Sequence, residues 1–266
     1  MMSSDITKNA ILVVAHPDDE ILWFSSILLE MDHVVLCYLG ELVNPEFGLQ
    51  RKQILPDYPL KQKMSCLELV SLGLSRPRNF LNPKFSEYGI EFTDNKGVDR
   101  KFTEHYEENY RLLRNQLAHV LVGYQHVFTH NPWGEYGHEE HVQVYRVIQE
   151  LQKDLGYTIV YSNYCSNRTV HLTSLLVNAC EAGSRPTDQK IAREILDVYE
   201  RTNTWTWYAD WQWPAQETFF QEMSSDNTGM SSGALLPVNM IVMPDLPPLP
   251  VISESRARRL RRFLGV

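Results

Sequence analysis

Two short clusters of histidine and acidic residues contain the side chains of this chain that are best suited to chemistry. The first cluster directly follows the apolar run 11–15 and places His16, Asp18, Asp19 and Glu20 within five positions. A short apolar run of this kind is typical of a buried strand. Because ligands bind beyond the carboxyl ends of strands in open α/β sheets, the cluster predicts half of a metal or acid–base site at the rim of a sheet.

The second cluster lies at the equivalent position of a later strand–loop–helix unit. It follows a loop containing proline and two glycines, opens a predicted helix, and consists of Tyr136, His138, Glu139, Glu140 and His141. If both units belong to one parallel sheet, both clusters lie on the same rim. Two histidines and one carboxylate with an open position form a frequent catalytic zinc site. A second carboxylate can take a proton from water there, and an imidazole can stabilise an oxyanion.

Each cluster also has a purely structural interpretation. Taken alone, residues 16–19 fit a helix cap and turn, and His138 and His141 fit surface positions at a helix start. The occurrence of both clusters at strand ends favours a functional site. Three further histidines are interpreted as strand or core residues, of which the second is near enough to line the site: His126, His130 and His171.

The hydrophobic pattern predicts alternating strands and helices. Strands are expected at 11–15, 33–39, 126–130, 157–162 and 238–243, and helices at 20–30, 61–72, 104–121, 138–155 and 187–199. Asp18 or Asp19 is expected to cap the first helix. The stretch 40–60, which holds three prolines, is expected to be an irregular functional loop, and residues 80–100 a short strand with an exposed turn at 94–97.

Repeated strand–helix–strand units imply right-handed crossovers and a mainly parallel sheet. The predicted fold class is therefore α/β with helices on both faces of the sheet. The sequence predicts one domain over 1–266, in which the portion 200–266 is less regular.

Composition excludes several classes of protein. The 266 residues carry a net charge of −8, which argues against a general nucleic-acid binder, and they contain no apolar run long enough to span a membrane. The first ten residues lack the apolar core of a signal peptide. Four isolated cysteines without a CxxC pair favour reduced thiols and a cytoplasmic location.

Both clusters resemble motifs of a known family. Ala15-His-Pro-Asp-Asp-Glu20 and the downstream Gly137-His-x-x-His141 are similar to the motifs of the zinc-dependent de-N-acetylases of the PIG-L/LmbE-like family. Its members include N-acetylglucosaminyl-phosphatidylinositol deacetylase and the deacetylases of mycothiol and bacillithiol biosynthesis. The resemblance covers about residues 10–160, with a further similar helix near 190–199.

This resemblance implies a Rossmann-like fold and one zinc ion per chain, with ferrous iron as the alternative metal. The family pattern assigns three metal ligands: His16, Asp19 and His141. It assigns three residues to catalysis: Asp18 as general base, His138 as stabiliser of the oxyanion and Tyr136 as a helper at the same oxygen. The surplus carboxylate Glu20 is expected to brace the turn.

The chain departs from the family pattern at several positions. Glu139-Glu140 replaces the usual Pro-Asp, and Glu140 is expected to orient His138. Bulky and polar residues at 23–26 replace the usual glycines. The nearest equivalent of the family's Arg-x-x-Glu is Lys61-Gln-Lys-Met64, in which lysine stands for the arginine and methionine for the glutamate. The usual polar contacts to substrate are therefore altered.

The sequence thus predicts a hydrolase that removes an acetyl group from an N-acetylated sugar or glycoconjugate. Two alternatives remain: an amidohydrolase acting on a non-sugar amide of natural-product metabolism, and a catalytically silent binding protein. The expected partner is the small-molecule substrate, without nucleic acid or a membrane span, and an assembly of identical chains is compatible with the sequence.

The tryptophan-rich stretch 205–213 is expected to form part of the pocket rim together with 41–59. The arginine-rich tail 256–262 is interpreted as a solvated helix.

Overall fold

A central β-sheet organises the computed structural model, which describes residues 5–73, 83–90, 100–222 and 236–243. The strands are β1 Ala10–Val14, β2 His33–Glu41, β3 Met64–Ser71, β4 Phe85–Ser86, β5 Gly89–Ile90, β6 His126–Thr129, β7 Thr158–Ser162, β8 Tyr164–Ser166, β9 Ala179–Pro186, β10 Gln216–Glu222 and β11 Asn239–Ile241. Seven of them form one sheet in the order β3-β2-β1-β6-β7-β10-β9. The first five of these run parallel, whereas β10 is antiparallel to β7 and β9. The predicted α/β class with a mainly parallel sheet is confirmed.

Helices cover both faces of this sheet. They are α1 Asp19–Trp23, α2 Pro45–Lys52, α3 Arg100–Val120, α4 Glu139–Leu155 and α5 Gln189–Arg201. Successive residues of a strand point to opposite faces, so Val13 of β1 shares a core cluster with Leu113 of α3. Leu12 shares the opposite cluster with Ile195 of α5. The site at the end of β1 is therefore supported by packed layers on both sides.

The sequence correctly locates most elements of this framework. The predicted strands at 11–15, 33–39, 126–130, 157–162 and 238–243 and the predicted helices at 104–121, 138–155 and 187–199 are all present. None of the helices in the described ranges is long and apolar enough to cross a membrane. The predicted turn at 94–97 and the tail at 256–262 lie outside the described residues. The single-domain assignment for 1–266 stays a prediction.

The predicted helix at 61–72 is wrong, because most of this stretch is the edge strand β3. Its apolar residues are spaced three to four apart, as in a helix. The structure explains that spacing by irregular pairing: the register between β2 and β3 shifts twice, and Glu68 has a φ of 57°. Such irregularities interrupt the two-residue alternation of a regular strand.

Two other expectations about local structure also fail. The stretch 40–60 is not wholly irregular, because it contains α2, which begins with Pro45 in its first turn and with the Asn44 side chain accepting a hydrogen bond from the Phe47 N–H. An Asn followed by Pro is a helix-start signal that the proline count obscured. The predicted helix 20–30 ends at Trp23, because the Ser25 hydroxyl and the Ser26 N–H both donate to the buried carboxylate of Glu217.

Candidate active site

A cleft of about 220 Å³ opens where the parallel strands end. Glu41 and Ser71 are the last residues of β2 and β3, and the first cluster follows β1 directly. The lining residues come from both clusters and from elements around them: His16, Asp18, Asp19, Leu22, Glu41, Arg51, Ser71, Gly73, Tyr136, His138, Thr206 and Trp207. The structure thus brings both clusters to one rim. His141, the last residue of the second cluster, is not among the lining residues but is fully buried next to them, with its ring 4.6 Å from the ring of His138.

The turn after β1 separates the two aspartates. Asp18 has a φ of 100°, in the left-handed region that few non-glycine residues occupy. Its side chain does not cap α1, so the capping expectation is wrong for Asp18. The Asp19 carboxylate is held by the His16 N–H at 2.7 Å and the Trp23 indole N–H at 2.9 Å. Burial, reinforced by the charge of Asp19, raises the pKa of Asp18 to about 6.

Glu20 braces this turn, as expected. One of its oxygens accepts hydrogen bonds from the hydroxyls of Tyr58 and Tyr199, and the other accepts from the Asp18 N–H. Glu20 is fully buried, and burial raises its pKa to about 7. The residue therefore fixes the main chain of Asp18 and does not face the cleft.

The hydrogen-bond partner of His141 determines which of its nitrogens is available to a metal. Nδ1 lies 2.7 Å from Oε2 of Glu135, and a carboxylate can only accept there, so Nδ1 carries the proton. Nε2 is buried, has no hydrogen-bond partner among the described residues, and lies 3.2 Å from the Asp19 carboxylate. A buried unpaired nitrogen beside a carboxylate fits a metal-binding position.

His16 shows the same arrangement with the two nitrogens exchanged. Nε2 lies 2.7 Å from Oε2 of Glu140, and Nδ1 lies 3.3 Å from the Asp19 carboxylate. Burial opposes the charged imidazolium, but the hydrogen bonds to Asp19 and Glu140 outweigh it and raise the pKa of His16 to about 9. A proton on Nδ1 is what a metal ion would replace.

The expectation that Glu140 orients His138 is wrong. The Glu140 carboxylate binds His16, and it also accepts from the Ser71 hydroxyl and the Leu72 N–H. It is instead the main-chain N–H of Glu140 that donates to Nδ1 of His138. Glu140 therefore connects one candidate ligand to the end of β3.

The two other histidines of the site, His130 and His138, have no nitrogen lone pair free for a metal. Nε2 of His130 accepts from the Ala15 N–H at 2.9 Å, while Nδ1 lies 2.9 Å from Glu135. Nδ1 of His138 accepts from the Glu140 N–H, so the neutral ring carries its proton on Nε2. Burial and the neighbouring His141 and His16 hold the pKa of His138 well below its usual value, which keeps this ring neutral.

Two sets of residues have ligand atoms that lie within 4.8 Å of one another: His16, His138 and His141, and Asp19, His130 and His141. The tautomers remove His138 from the first set and His130 from the second, because one ring nitrogen of each accepts a main-chain N–H and the other carries the proton. The remaining candidate donor atoms are His141 Nε2, the Asp19 carboxylate and, once a metal ion displaces its proton, His16 Nδ1. Two nitrogens and one oxygen fit zinc, which prefers such ligands in catalytic sites. The donor set therefore fits the metal that the sequence predicts.

Comparison with known proteins identifies the family of this chain. The model of the GlcNAc-PI de-N-acetylase family, PIG-L, matches residues 11–151, which is more than half of the chain. The chain belongs to this family. The matched region contains both clusters and all four histidines described above, which agrees with the resemblance seen in the sequence.

Individual relatives share little sequence identity with this chain. A 1D-myo-inositol 2-acetamido-2-deoxy-alpha-D-glucopyranoside deacetylase of Rhodococcus opacus (strain B4) is 28% identical over 167 residues, which cover 56% of this chain and 54% of that protein. The uncharacterized protein L374 of Acanthamoeba polyphaga mimivirus is 26% identical over 167 residues, covering 59% of this chain and 64% of that protein. The chain thus spans less than two thirds of the length of these relatives.

A solved structure supports the fold. A deacetylase of teicoplanin biosynthesis, in complex with teicoplanin, superposes with a TM-score of 0.51 at 12% sequence identity, covering 82% of this chain and all of that one. Its agreement extends the fold assignment beyond the region that the family model matches.

The sequence does not single out three residues that line the cleft or bind its histidines. Glu135 links two histidines from within a loop that was predicted only as a connection. Arg51 reaches the cleft from α2, the unpredicted helix. Thr206 lies in the tryptophan-rich stretch and donates to the Asp18 carboxylate. The sequence places the stretch 205–213 at the pocket rim, but it carries no signal for the contact between Thr206 and Asp18, which are 188 positions apart.

Proposed function

We propose that this protein is a zinc-dependent de-N-acetylase that removes the acetyl group from an N-acetylated sugar conjugate. The observation that carries the proposal is the tautomer arrangement: His16 and His141 are each protonated on the nitrogen that faces a glutamate and direct the other nitrogen toward Asp19. A second buried carboxylate, Asp18, lines the same cleft. This combination of a metal site and a free base is what amide hydrolysis requires.

In this proposal His16, Asp19 and His141 hold the metal. A zinc ion at this place supplies a Lewis acid that makes water an effective nucleophile near neutral pH. Glu140 and Glu135 fix the protonation of the two imidazoles, which is the usual arrangement of metal-binding histidines.

The remaining residues move protons and stabilise charge. Asp18 takes the proton of the attacking water, because it is the buried cleft carboxylate next to Asp19 that does not serve as a ligand. It then gives this proton to the amine nitrogen as the C–N bond breaks. The protonated Nε2 of neutral His138 donates to the amide oxygen as negative charge develops on it. Tyr136 lies beside both histidines, with its ring 5.8 Å from that of His138 and 5.5 Å from that of His141, and assists at the same oxygen.

The walls of the cleft favour a polar substrate on one side. Glu41, Arg51 and Ser71 line the side formed by β2, α2 and β3, whereas Tyr136 and Trp207 line the other side. Such a combination of polar groups and an aromatic wall suits a sugar ring. Since the Rhodococcus relative is a deacetylase of a 2-acetamido sugar linked to inositol, we propose a 2-acetamido sugar conjugate as the substrate class.

A substrate panel tests this assignment. Purified protein loaded with zinc is incubated with 2-acetamido sugars, their conjugates and non-sugar acetamides, and acetate and free amine are both quantified. We expect equal amounts of both products from at least one sugar conjugate. Release from non-sugar acetamides alone would replace the sugar assignment by the amidohydrolase alternative. No release from any compound would favour a silent binding protein.

Arg51 provides a second test of substrate binding. It is 4% exposed, and its Nε and Nη1 atoms have no hydrogen-bond partner within the described part of the chain. Arg51 also lines the cleft, so its guanidinium can donate to oxygens of a bound substrate. We expect Arg51→Gln to raise KM by about 10-fold, which corresponds to roughly 1.4 kcal/mol, with a smaller change in kcat. An unchanged KM would remove Arg51 from the binding site.

A substitution of Glu140 tests the metal assignment, because this residue binds the candidate ligand His16 and is not itself a ligand. Replacing Glu140 by Gln weakens the acceptor that fixes the His16 tautomer, and we expect the zinc affinity to fall by about 10- to 100-fold. Competition with a zinc chelator measures this change. The control is Glu194→Gln, the same substitution on the exposed face of α5. Equal affinity in the two variants would contradict the role of Glu140.

A further inference from the structure

Residues 204–213, here called the covering segment, pass over the cleft after the end of α5. The segment is attached at both ends. The Thr204 N–H donates to the Tyr199 carbonyl oxygen at 2.8 Å, and the Trp213 indole N–H donates to the Ile21 carbonyl oxygen of α1 at 2.5 Å. Thr204 is fully buried. The segment therefore has a fixed position relative to α1, the helix that begins at the candidate metal ligand Asp19.

Aromatic packing holds the middle of the covering segment against the site. The Trp207 ring meets Trp23 edge-on at 5.4 Å and lies 4.8 Å from the Tyr136 ring. Trp211 also meets Trp23 edge-on at 5.9 Å. Trp23 in turn donates to the Asp19 carboxylate. Edge-to-face contacts of this kind fix the angle between rings as well as their distance, so the segment is aligned with the metal-binding residues.

Thr206, next to Trp207, places its hydroxyl on the carboxylate of Asp18. Oγ1 of Thr206 donates to Oδ2 of Asp18. Across the described ranges, this is the one hydrogen bond made by the Asp18 carboxylate, whereas the Asp19 carboxylate receives two. The main chain of Asp18 is turned into the left-handed region, which neighbouring contacts must maintain. Its side chain therefore depends on Thr206 for its orientation.

We propose that Thr206 is a positioning residue for the general base. Its hydroxyl fixes one oxygen of Asp18, which leaves the other oxygen to face the reacting water. The proposal rests on the proposed function, in which Asp18 is the base. Thr206 lies outside the residues that match the family model, so this role is a property of the covering segment of this chain.

The orientation of a base controls the rate more than the affinity for substrate, since a displacement of about 1 Å at a reacting group costs roughly 100-fold. Thr206→Val keeps the side-chain shape and removes the hydroxyl, whereas Thr206→Ser keeps the hydroxyl. Thr206 is otherwise exposed, so neither change empties the core. We expect Thr206→Val to lower kcat by about 10- to 100-fold, with KM within about 2-fold and zinc content unchanged. Thr206→Ser is expected to stay within about 3-fold of the wild type in kcat.

Two kinetic outcomes would overturn the proposal. The first is a Thr206→Val enzyme with the kcat of the wild type. The second is an equal loss in the valine and serine variants, which would show that packing and not the hydroxyl matters. If the valine variant does not fold, Thr206→Ala replaces it in the same comparison.

A readout independent of turnover separates this proposal from the proposed function. Crystal structures of the zinc-loaded wild type and of Thr206→Val would show the orientation of the Asp18 carboxylate directly. We expect it to be rotated in the variant while the side chains of His16, Asp19 and His141 stay in place. An unrotated carboxylate would overturn the role of Thr206 even in an active enzyme. A rotated one would support it even if no acetamido sugar proves to be a substrate.

Discussion

Replacing Asp18 by asparagine is expected to lower kcat by roughly 1,000-fold while the protein keeps its zinc. The amide has nearly the same shape as the carboxylate but cannot accept the proton of the attacking water. Such a loss corresponds to about 4 kcal/mol of transition-state stabilisation. Steady-state kinetics together with the zinc content of the same sample measure both parts of the prediction.

The control for this variant is Asp197→Asn, the same change on an exposed position of α5, which should leave kcat unchanged. Loss of zinc in the Asp18 variant would assign Asp18 to the metal and not to proton transfer. A kcat near that of the wild type would require another base in the cleft.

Replacing His141 by alanine is expected to abolish stoichiometric zinc binding, and with it activity, by at least about 1,000-fold. The substitution removes the imidazole whose unpaired Nε2 lies 3.2 Å from Asp19, one of three expected protein ligands. The exposed histidine of α3 supplies the matched control, and His119→Ala should bind zinc as the wild type does.

His138→Ala extends the comparison. The tautomers predict that removing the His138 ring leaves zinc binding intact, whereas removing the adjacent His141 ring abolishes it. Nδ1 of His138 accepts a main-chain N–H, so its protonated Nε2 is a donor and not a ligand. We expect this variant to keep its zinc and to lose kcat. Equal loss of zinc in both variants would favour the alternative set of His16, His138 and His141.

The residue types of the site were predictable from sequence because each cluster is local. His16, Asp18 and Asp19 lie within four positions, and the apolar run before them identifies the strand that carries them. The parallel sheet then places the second cluster on the same rim, since helix connections between parallel strands bring equivalent ends together. Local patterns and one topological rule thus sufficed to assemble the candidate site.

The hydrogen-bond partners of that site could not be predicted, because they depend on long-range packing. Glu140 binds His16 across 124 positions, and Thr206 binds Asp18 across 188. The same limit explains the error at 61–72, where pairing with β2 decides the conformation and an interrupted alternation imitates a helix. It also explains why Arg51 could not be singled out within the predicted rim 41–59, since its place in the cleft follows from α2.

Zinc titration of the stripped protein tests the central claim most directly. Protein freed of metal with a chelator is titrated with zinc, and acetate release from the best substrate of the panel is measured at each addition. We predict no release without metal and a linear rise that ends at one zinc per chain. Undiminished release from the stripped protein, or no gain on adding zinc, would contradict a metal-dependent de-N-acetylase built on His16, Asp19 and His141.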